Sequence, residues 1–567
     1  MTNRMTKLYL ENFKSIKNPT TIRLAPITLL YGQNSVGKSA IIDAFDFLFY
    51  RTKDCGLSSL DYVYMKDSEC SMVVGAEFYC ADFQSIEWNS RYKNNLYEYF
   101  PRLDQVLCDQ VEDYEDVPNY ENFPIDVLFY MKGNDFEKIK IKASGEDYME
   151  LNAKTQGLTV NVISPFLTNI DKLLKLDIGK TFFELCEMAM PDIKIVDNKF
   201  TIHDVFSGRD LRIYHEDIYV GHIFDTFDNP FNSNRHEERH GIDLLLSYLF
   251  CAPINHCNCL LERATQTRIG PLRKIPEPQD LCFHFGEYSV TTPYSIGSAE
   301  FNEDNGAEFN GDNRDWKEGW YDGTSAWNKL ALGGLITTSY GRSNRQRECE
   351  HLLPYVNDWL SSINKLDMPY KLIISTKYIH YSDSTYEVDS NEPDVLSVGL
   401  DKELFYPNSI VQIKLKSFNS GAQSILLDLN NVGSGVSQVI PILVAGVCSN
   451  SIIVEQPELH LHPKLQADIT DFFIVRMNQN SVHSLIETHS EILALRCLRR
   501  IRETSKSDIM PADLRLDKDD VAFYYFDSKG GYTDVTELRV SDDGDFIDRW
   551  PRGFFSEREH ELFDEDF

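Results

Sequence analysis

The stretch from Ile27 to Phe45, ITLLYGQNSVGKSAIIDAF, decides how the rest of the chain is read. Ile27 to Tyr31 form a near-continuous apolar run, the pattern of a strand buried on both faces. Gly32 to Ser39 then match G-x-x-x-x-G-K-[ST] at every fixed position. Ile41, Ile42, Phe45 and Leu48 follow at helical spacing. A strand, a glycine-rich loop and a helix in this order make a cradle for phosphate. The glycines let backbone N–H groups turn inward, and the helix starting near Lys38 aims its positive end at an anion. Lys38 is expected to reach the β- and γ-phosphates of a nucleotide, and the Ser39 hydroxyl to ligate Mg²⁺. The expected ATP-binding residues at this end are Gly32, Asn34, Ser35, Val36, Gly37, Lys38, Ser39 and Ala40.

Three segments far downstream supply what the loop lacks. Ser451 to Glu458, SIIVEQPE, is an apolar strand that delivers carboxylates at its end. Glu455 is expected to hold Mg²⁺, usually through water. Glu458, three residues on, can orient and deprotonate an attacking water. A strand ending in a solvated acidic turn is the plain alternative, and the phosphate loop favours the functional reading. Asn431 to Gln438, NVGSGVSQ, opens a helix with Gly433, Ser434 and Gly435, a second anion-binding terminus. Such a terminus has a purpose if it caps a nucleotide held by another copy. Glu487 to Ser490, ETHS, ends the next strand and puts His489 where it can contact the γ-phosphate and the water.

Composition bounds the rest. The chain has 567 residues, with 42% hydrophobic and 12% aromatic, enough for a large core. At about 100–200 residues per domain, that is roughly three domains, or one domain with a large insertion. Its 56 Lys+Arg against 88 Asp+Glu leave a net charge of −32. Such a mean field repels nucleic acid, so contact with DNA requires a local basic face. No apolar run reaches the ~18–20 residues of a bilayer crossing, and no apolar segment follows the first residues as in a secretory signal. Twelve cysteines read as reduced thiols, which points to the cytoplasm.

Both ends of the chain alternate strand and helix, so they are expected to share one sheet in an α/β fold. The expected divisions are 1–95, an amino-terminal lobe with the phosphate loop; 96–400, an α+β insertion or regulatory domain; 401–515, a carboxy-terminal lobe; and 516–567, a hairpin and acidic tail. Pro441 is expected to bend or shorten the helix that begins near Gly435. The insertion shows neither internal repeat nor long heptad run, so it does not read as a coiled coil.

In this order the four elements resemble an ABC-type ATPase head of the SMC/RecF/OLD class, assembled from amino- and carboxy-terminal lobes. The opening LENFKSI at Leu10–Ile16, IGPLR at Ile269–Arg273, EQPELHLHP at Glu455–Pro463 and DRWPRGFF at Asp548–Phe555 resemble a prokaryotic "AAA ATPase" branch that includes many anti-phage defence proteins. The resemblance covers about residues 1–90, 260–275 and 400–567. It implies that Gly433, Ser434 and Gly435 are the signature that closes on ATP across a homodimer, although Val436 stands where transporters have a second glycine. It implies Glu458 as catalytic glutamate and His489 as switch histidine. Arg273 is either close to the nucleotide or the lobe interface, or structural.

The function implied is a slow ATP-hydrolysing molecular switch that controls a separate nuclease or toxin effector in phage defence or DNA surveillance. The alternative is an ATP-bound scaffold with little turnover. A nuclease within the chain would need a Toprim domain, and the residues after His489 fit a hairpin and acidic tail better. A transporter subunit would lack so long an insertion. Cys251, His256, Cys257 and Cys259, with His284, crowd together without a recognised zinc spacing. Arg496, Arg499, Arg500, Arg502 and Lys506 form a basic helix, read either as a contact for DNA or a partner, or as a solvated face balancing nearby acids. Trp550, Phe554 and Phe555 are expected to anchor the acidic tail.

Overall fold

A computed structural model describes residues 4–49, 71–80, 123–132, 135–143, 145–152, 157–161, 184, 199–202, 267–275, 282–284, 299–302, 306–309, 319–336, 344–378, 380–382, 385–387, 408–418, 425–506 and 510–550. The cysteine cluster at 251–259, Phe554 and Phe555 lie outside these residues. The chain divides into two compact units. The first comprises Met1–Leu24, Gln33–Thr265 and Phe526–Thr536; the second comprises Ala25–Gly32, Gln266–Tyr525 and Glu537–Phe567.

The first unit is built on an eight-stranded antiparallel sheet. Its strands are β1 (Arg4–Glu11), β2 (Thr20–Arg23), β4 (Ser71–Cys80), β5 (Phe123–Lys132), β6 (Asp135–Ala143), β7 (Glu146–Asn152), β8 (Gly157–Asn161) and β9 (Lys199–Ile202), in the order β2-β1-β4-β5-β6-β7-β8-β9. Alternation explains it. Met72, Val74, Ala76 and Phe78 of β4, then Ile125, Val127, Phe129 and Met131 of β5, point to one buried face. Lys138, Lys140 and Lys142 alternate with the apolar positions of β6 and pair with Asp147 and Glu150 at 3.5–3.9 Å. Pairs this exposed add little stability. Helix α1 (Lys38–Phe49) also belongs to this unit, with Phe13 packed edge-on to Phe47.

The second unit centres on a sheet of order β10-β19-β20-β3-β21-β22, of which the hairpin residues Phe526–Thr536 belong to the first unit. Here β3 is Ile27–Gly32, β10 Thr267–Ile269, β19 Ser451–Glu455, β20 His483–Glu487, β21 Val521–Lys529 and β22 Tyr532–Leu538. The first four run parallel, in the registers Ile269↔Val454, Glu455↔Glu487 and Glu487↔Leu30. Every residue of β3 is buried, as a parallel strand covered on both faces requires. An amino-terminal strand thus lies beside a carboxy-terminal one.

Five further helices belong to this unit: α2 (Thr324–Ile336), α3 (Asn344–Ser361), α4 (Ser434–Cys448), α5 (Pro463–Asn480) and α6 (Glu491–Lys506). Helix α4 runs through Pro441 without a break, its apolar residues buried from Val436 to Gly446. Packing therefore outweighs the hydrogen bond that the proline removes. Trp359 of α3 meets Phe472 of α5 edge to face at 5.0 Å. Trp550 sits against Tyr31 at 5.3 Å and Phe546 at 5.0 Å, tying the start of the tail to the core. A smaller antiparallel sheet joins β11 (Cys282–His284), β17 (Asn408–Ser417), β14 (Tyr370–Tyr378) and β18 (Ile425–Asp428). Two hairpins complete the strands: β12 (Ala299–Asn302) with β13 (Gly306–Phe309), and β15 (His380–Ser382) with β16 (Thr385–Glu387).

Candidate nucleotide site

Ligands of parallel α/β sheets bind beyond the carboxyl ends of the strands. In the second unit those ends carry Gly32 on β3, Glu487 to His489 on β20, Glu455 to Glu458 on β19 and Gly270 to Arg273 on β10. Backbone bonds knit them together. Thr488 N donates to Leu30 O at 3.1 Å, and Gln456 N donates to Glu487 O at 2.7 Å. The turn after β19 is unusual: Gln456 and His460 both hold positive φ, 46° and 63°. Non-glycine residues adopt that region at a cost, and such strain clusters at functional sites.

Glu458 lies within this turn. Its Oε1 accepts from the backbone N–H of His489 at 2.8 Å, and its Oε2 is buried without a hydrogen bond. Burial pushes its carboxyl above the usual range, against the lowering effects of the His489 and Glu458 amides, the Thr488 hydroxyl and, last, the Arg273 charge. A buried oxygen left over beside a fixed one suits a group that must take up a proton.

Arg273, 4% exposed, donates through Nη2 to Glu455 O at 2.8 Å, and its Nε is buried without a partner. Burial lowers its pKa to about 10, while the carboxylates of Glu458 and Glu455 act to raise it. Gln438 of α4 fixes the backbone on either side: its Oε1 accepts from Arg273 N at 3.3 Å and its Nε2 donates to Arg273 O at 2.8 Å. The arginine is therefore a buried cation that binds the Glu455 backbone and feels the charges of Glu458 and Glu455.

Glu455, 8% exposed, ends β19, and its Oε1 is bound by Arg268 Nε at 2.8 Å. Arg268 also stacks on the ring of Tyr321 at 5.0 Å. An added cation at Glu455 would share that carboxylate with the guanidinium. The donor chemistry still fits Mg²⁺, which binds through one or two carboxylates and keeps several waters. Among the described residues no three or more His, Cys, Asp and Glu gather as a metal cluster.

At the start of α4, Gly433 is the N-cap and Ser434 the first helical residue. A Cβ on Gly435 would lie 3.0 Å from His460 O, so the helix start and the turn after β19 approach closely. Val436, where a second glycine was of interest, is turned into the apolar core.

The first unit holds the phosphate loop itself, Gln33 to Ser39. Ser35 and Gly37 have φ of 62° and 104°, the left-handed geometry that gathers successive N–H groups on one side. Lys38 is 3% exposed and donates through Nζ to Gln33 O at 2.9 Å, across the loop. Ser39 is exposed at the first turn of α1. The loop fits a polyphosphate by its own geometry.

The basic helix offers less than its composition suggests. Arg496 binds Asp468 and Asp471, Arg500 binds Asp471 and Glu503, Arg499 binds Glu503, and Arg502 binds Asp545. These arginines balance nearby acids. Sequence reading passed over Arg268, Gln438 and Tyr321; the lone amide in the apolar run of α4 was the available signal for Gln438.

A glycine-rich phosphate loop following a buried strand, with acids at the ends of neighbouring parallel strands, defines a P-loop nucleoside triphosphatase core of α/β class. The family model described as AAA ATPase domain matches residues 4–220 and 301–494, and the chain belongs to that family. A second model, protein of unknown function (DUF3696), matches residues 516–564. No curated protein matches in sequence. Among solved structures, the chain is similar to the SMC head domain from Thermotoga maritima, at 9% identity over 95% of this chain and 100% of that one, with a TM-score of 0.33. It is also similar to an Smc head domain with an extended coiled coil bound to the C-terminal domain of ScpA, from Pyrococcus furiosus, at 10% identity over 95% and 97%, with a TM-score of 0.34. Among the described residues no helix is long and apolar enough to cross a membrane.

Proposed function

We propose that this chain is an ATP-hydrolysing molecular switch, with the phosphate loop binding ATP and Glu458 supplying the base for its hydrolysis. Membership of the AAA ATPase family supports ATP as the substrate. The observation that carries the reading is Glu458, whose carboxylate is held by the His489 amide through one oxygen and buried at the other. Gly32, Asn34, Ser35, Val36, Gly37, Lys38, Ser39 and Ala40 hold the phosphates. Ser39 and Glu455 hold Mg²⁺, which when bound offsets charge on the phosphate oxygens. Glu458 takes the proton of the attacking water, and the raised pKa given by burial brings it nearer to a working base at neutral pH. His489, whose amide orients Glu458, reports the γ-phosphate. The Arg273 charge acts against the rise that burial gives the Glu458 carboxyl.

The same reading makes the ATP-bound form a homodimer, with Gly433, Ser434 and Gly435 of one copy facing the nucleotide of the other. A closed site of this kind turns over slowly and releases on hydrolysis, which suits a cytoplasmic sensor that restrains a separate nuclease or toxin in anti-phage defence. The test is Glu458→Gln analysed for mass in solution with and without ATP. A stable dimer only with ATP is expected; a monomer under both conditions removes the switch.

A scaffold with little turnover is favoured by one contact, the Arg268–Glu455 pair, which occupies the carboxylate assigned to the metal. Bound ATP that persists unhydrolysed in wild type for hours with Mg²⁺ present would select it.

A further inference from the structure

The phosphate loop is held from behind by a residue almost five hundred positions away. Thr533 of β22 is 5% exposed, and its Oγ1 donates to Val36 O at 2.7 Å. The Thr533 and Ser15 hydroxyls lie 2.7 Å apart, and Thr533 N donates to Ser15 O at 2.8 Å. A hydroxyl has one hydrogen; once Val36 O takes it, the lone pairs remain for Ser15. The Val36–Gly37 peptide is planar and trans, so its C=O and N–H point in opposite directions. Fastening Val36 O to Thr533 therefore turns the Gly37 N–H to the other side. Gly37 holds φ of 104°, and a Cβ built on it would lie 2.2 Å from Thr533 Oγ1 and 2.4 Å from Ser15 Oγ. Both the dihedral and the closeness of Thr533 exclude any side chain there.

We propose that Thr533 is a positioning residue of the nucleotide site, fixing the Val36–Gly37 peptide so that the Gly37 N–H faces the phosphates of a nucleoside di- or triphosphate. The inference rests on residues 32–39 being the phosphate loop. It gives the segment matched by the family of unknown function a part in nucleotide binding through the Val36–Gly37 peptide. Without the hydroxyl the peptide can rotate, and a Val36 carbonyl turned inward would repel the anion. An amide that meets the phosphates equally before and during reaction contributes uniform binding, so its loss falls on KM more than on kcat.

The experiment measures ADP binding and ATP hydrolysis by the full chain. Thr533→Val keeps the branched shape and removes the hydroxyl. It is expected to weaken ADP binding and raise the KM for ATP by about tenfold, with a much smaller change in kcat. Thr533→Ser is expected to restore both. Ser15→Ala should weaken binding by about threefold, and combined with Thr533→Val it should cost less than the two effects multiplied. Wild-type affinity in Thr533→Val overturns the proposal, as does an equal loss of kcat and KM that Thr533→Ser fails to repair. If Thr533→Val does not fold, Ser15→Ala decides, and unchanged binding there overturns the proposal. Wild type that binds no ADP overturns the phosphate-loop assignment itself, a separate result.

Discussion

Asp126 lies within β5 of the antiparallel sheet, and Glu458 lies in the turn just beyond β19 of the parallel one; burial pushes both carboxyls above the ordinary range. Their surroundings differ. Asp126 accepts the Tyr9 hydroxyl at 2.8 Å, in the middle of a paired ladder whose backbone is fully used. Glu458 occupies a turn with two left-handed residues, accepts the His489 amide just beyond the neighbouring strand, and feels the charge of a buried arginine. A displaced pKa therefore reports burial in both cases. Position at a strand end, where backbone groups and ligands are still free to meet, is what makes Glu458 the candidate base and Asp126 not.

Mutation should separate the two acids widely. Glu458→Gln is expected to lower kcat by roughly 10²–10⁴-fold while ATP still binds, measured by phosphate release. Because the base must be ionised, the acid limb of kcat against pH should fall above the ~4.3 of an ordinary glutamate. A limb at or below that value would mean that Glu458 is not the base. Arg273→Met removes the charge that opposes protonation, so the limb should move further toward alkaline pH, with kcat at pH 7 down by about tenfold. An unmoved limb would leave Arg273 a purely structural residue.

Two smaller effects sharpen the contrast. Arg268→Gln frees the Glu455 carboxylate, and half-saturation by Mg²⁺ should drop by about threefold, the scale of a partly exposed ion pair. Asp126→Asn should change kcat by less than about twofold, as expected of a site independent of the chemistry. Its stability effect has a defined sign. A carboxyl whose pKa is raised by folding contributes stability below its unfolded pKa and loses that contribution as pH rises through its folded value. At pH 7 the neutral asparagine should therefore melt no lower than wild type, and this advantage should vanish near pH 4.

Much of the site was legible because it is local. The phosphate loop, SIIVEQPE and ETHS each carry strand, turn and chemistry within ten residues, and the turn residues follow their strands directly. What escaped depended on register between distant segments. Arg268 meets Glu455 only because β10 pairs with β19, and Thr533 meets Val36 only after the hairpin has folded back. The first three strands look like one series in sequence, yet β1 and β2 join one sheet and β3 another. The alternating burial of β2 against the continuous burial of β3 is the physical signature of that division.

The proposed switch needs Lys38 to retain ATP and Glu458 to hydrolyse it. The most direct measurement is the nucleotide content of purified Glu458→Gln compared with the double variant Lys38→Ala, Glu458→Gln after incubation with Mg²⁺ and ATP. Intact ATP should be retained by the single variant and none by the double. Product ADP in the single variant, or ATP kept by the double, would contradict it.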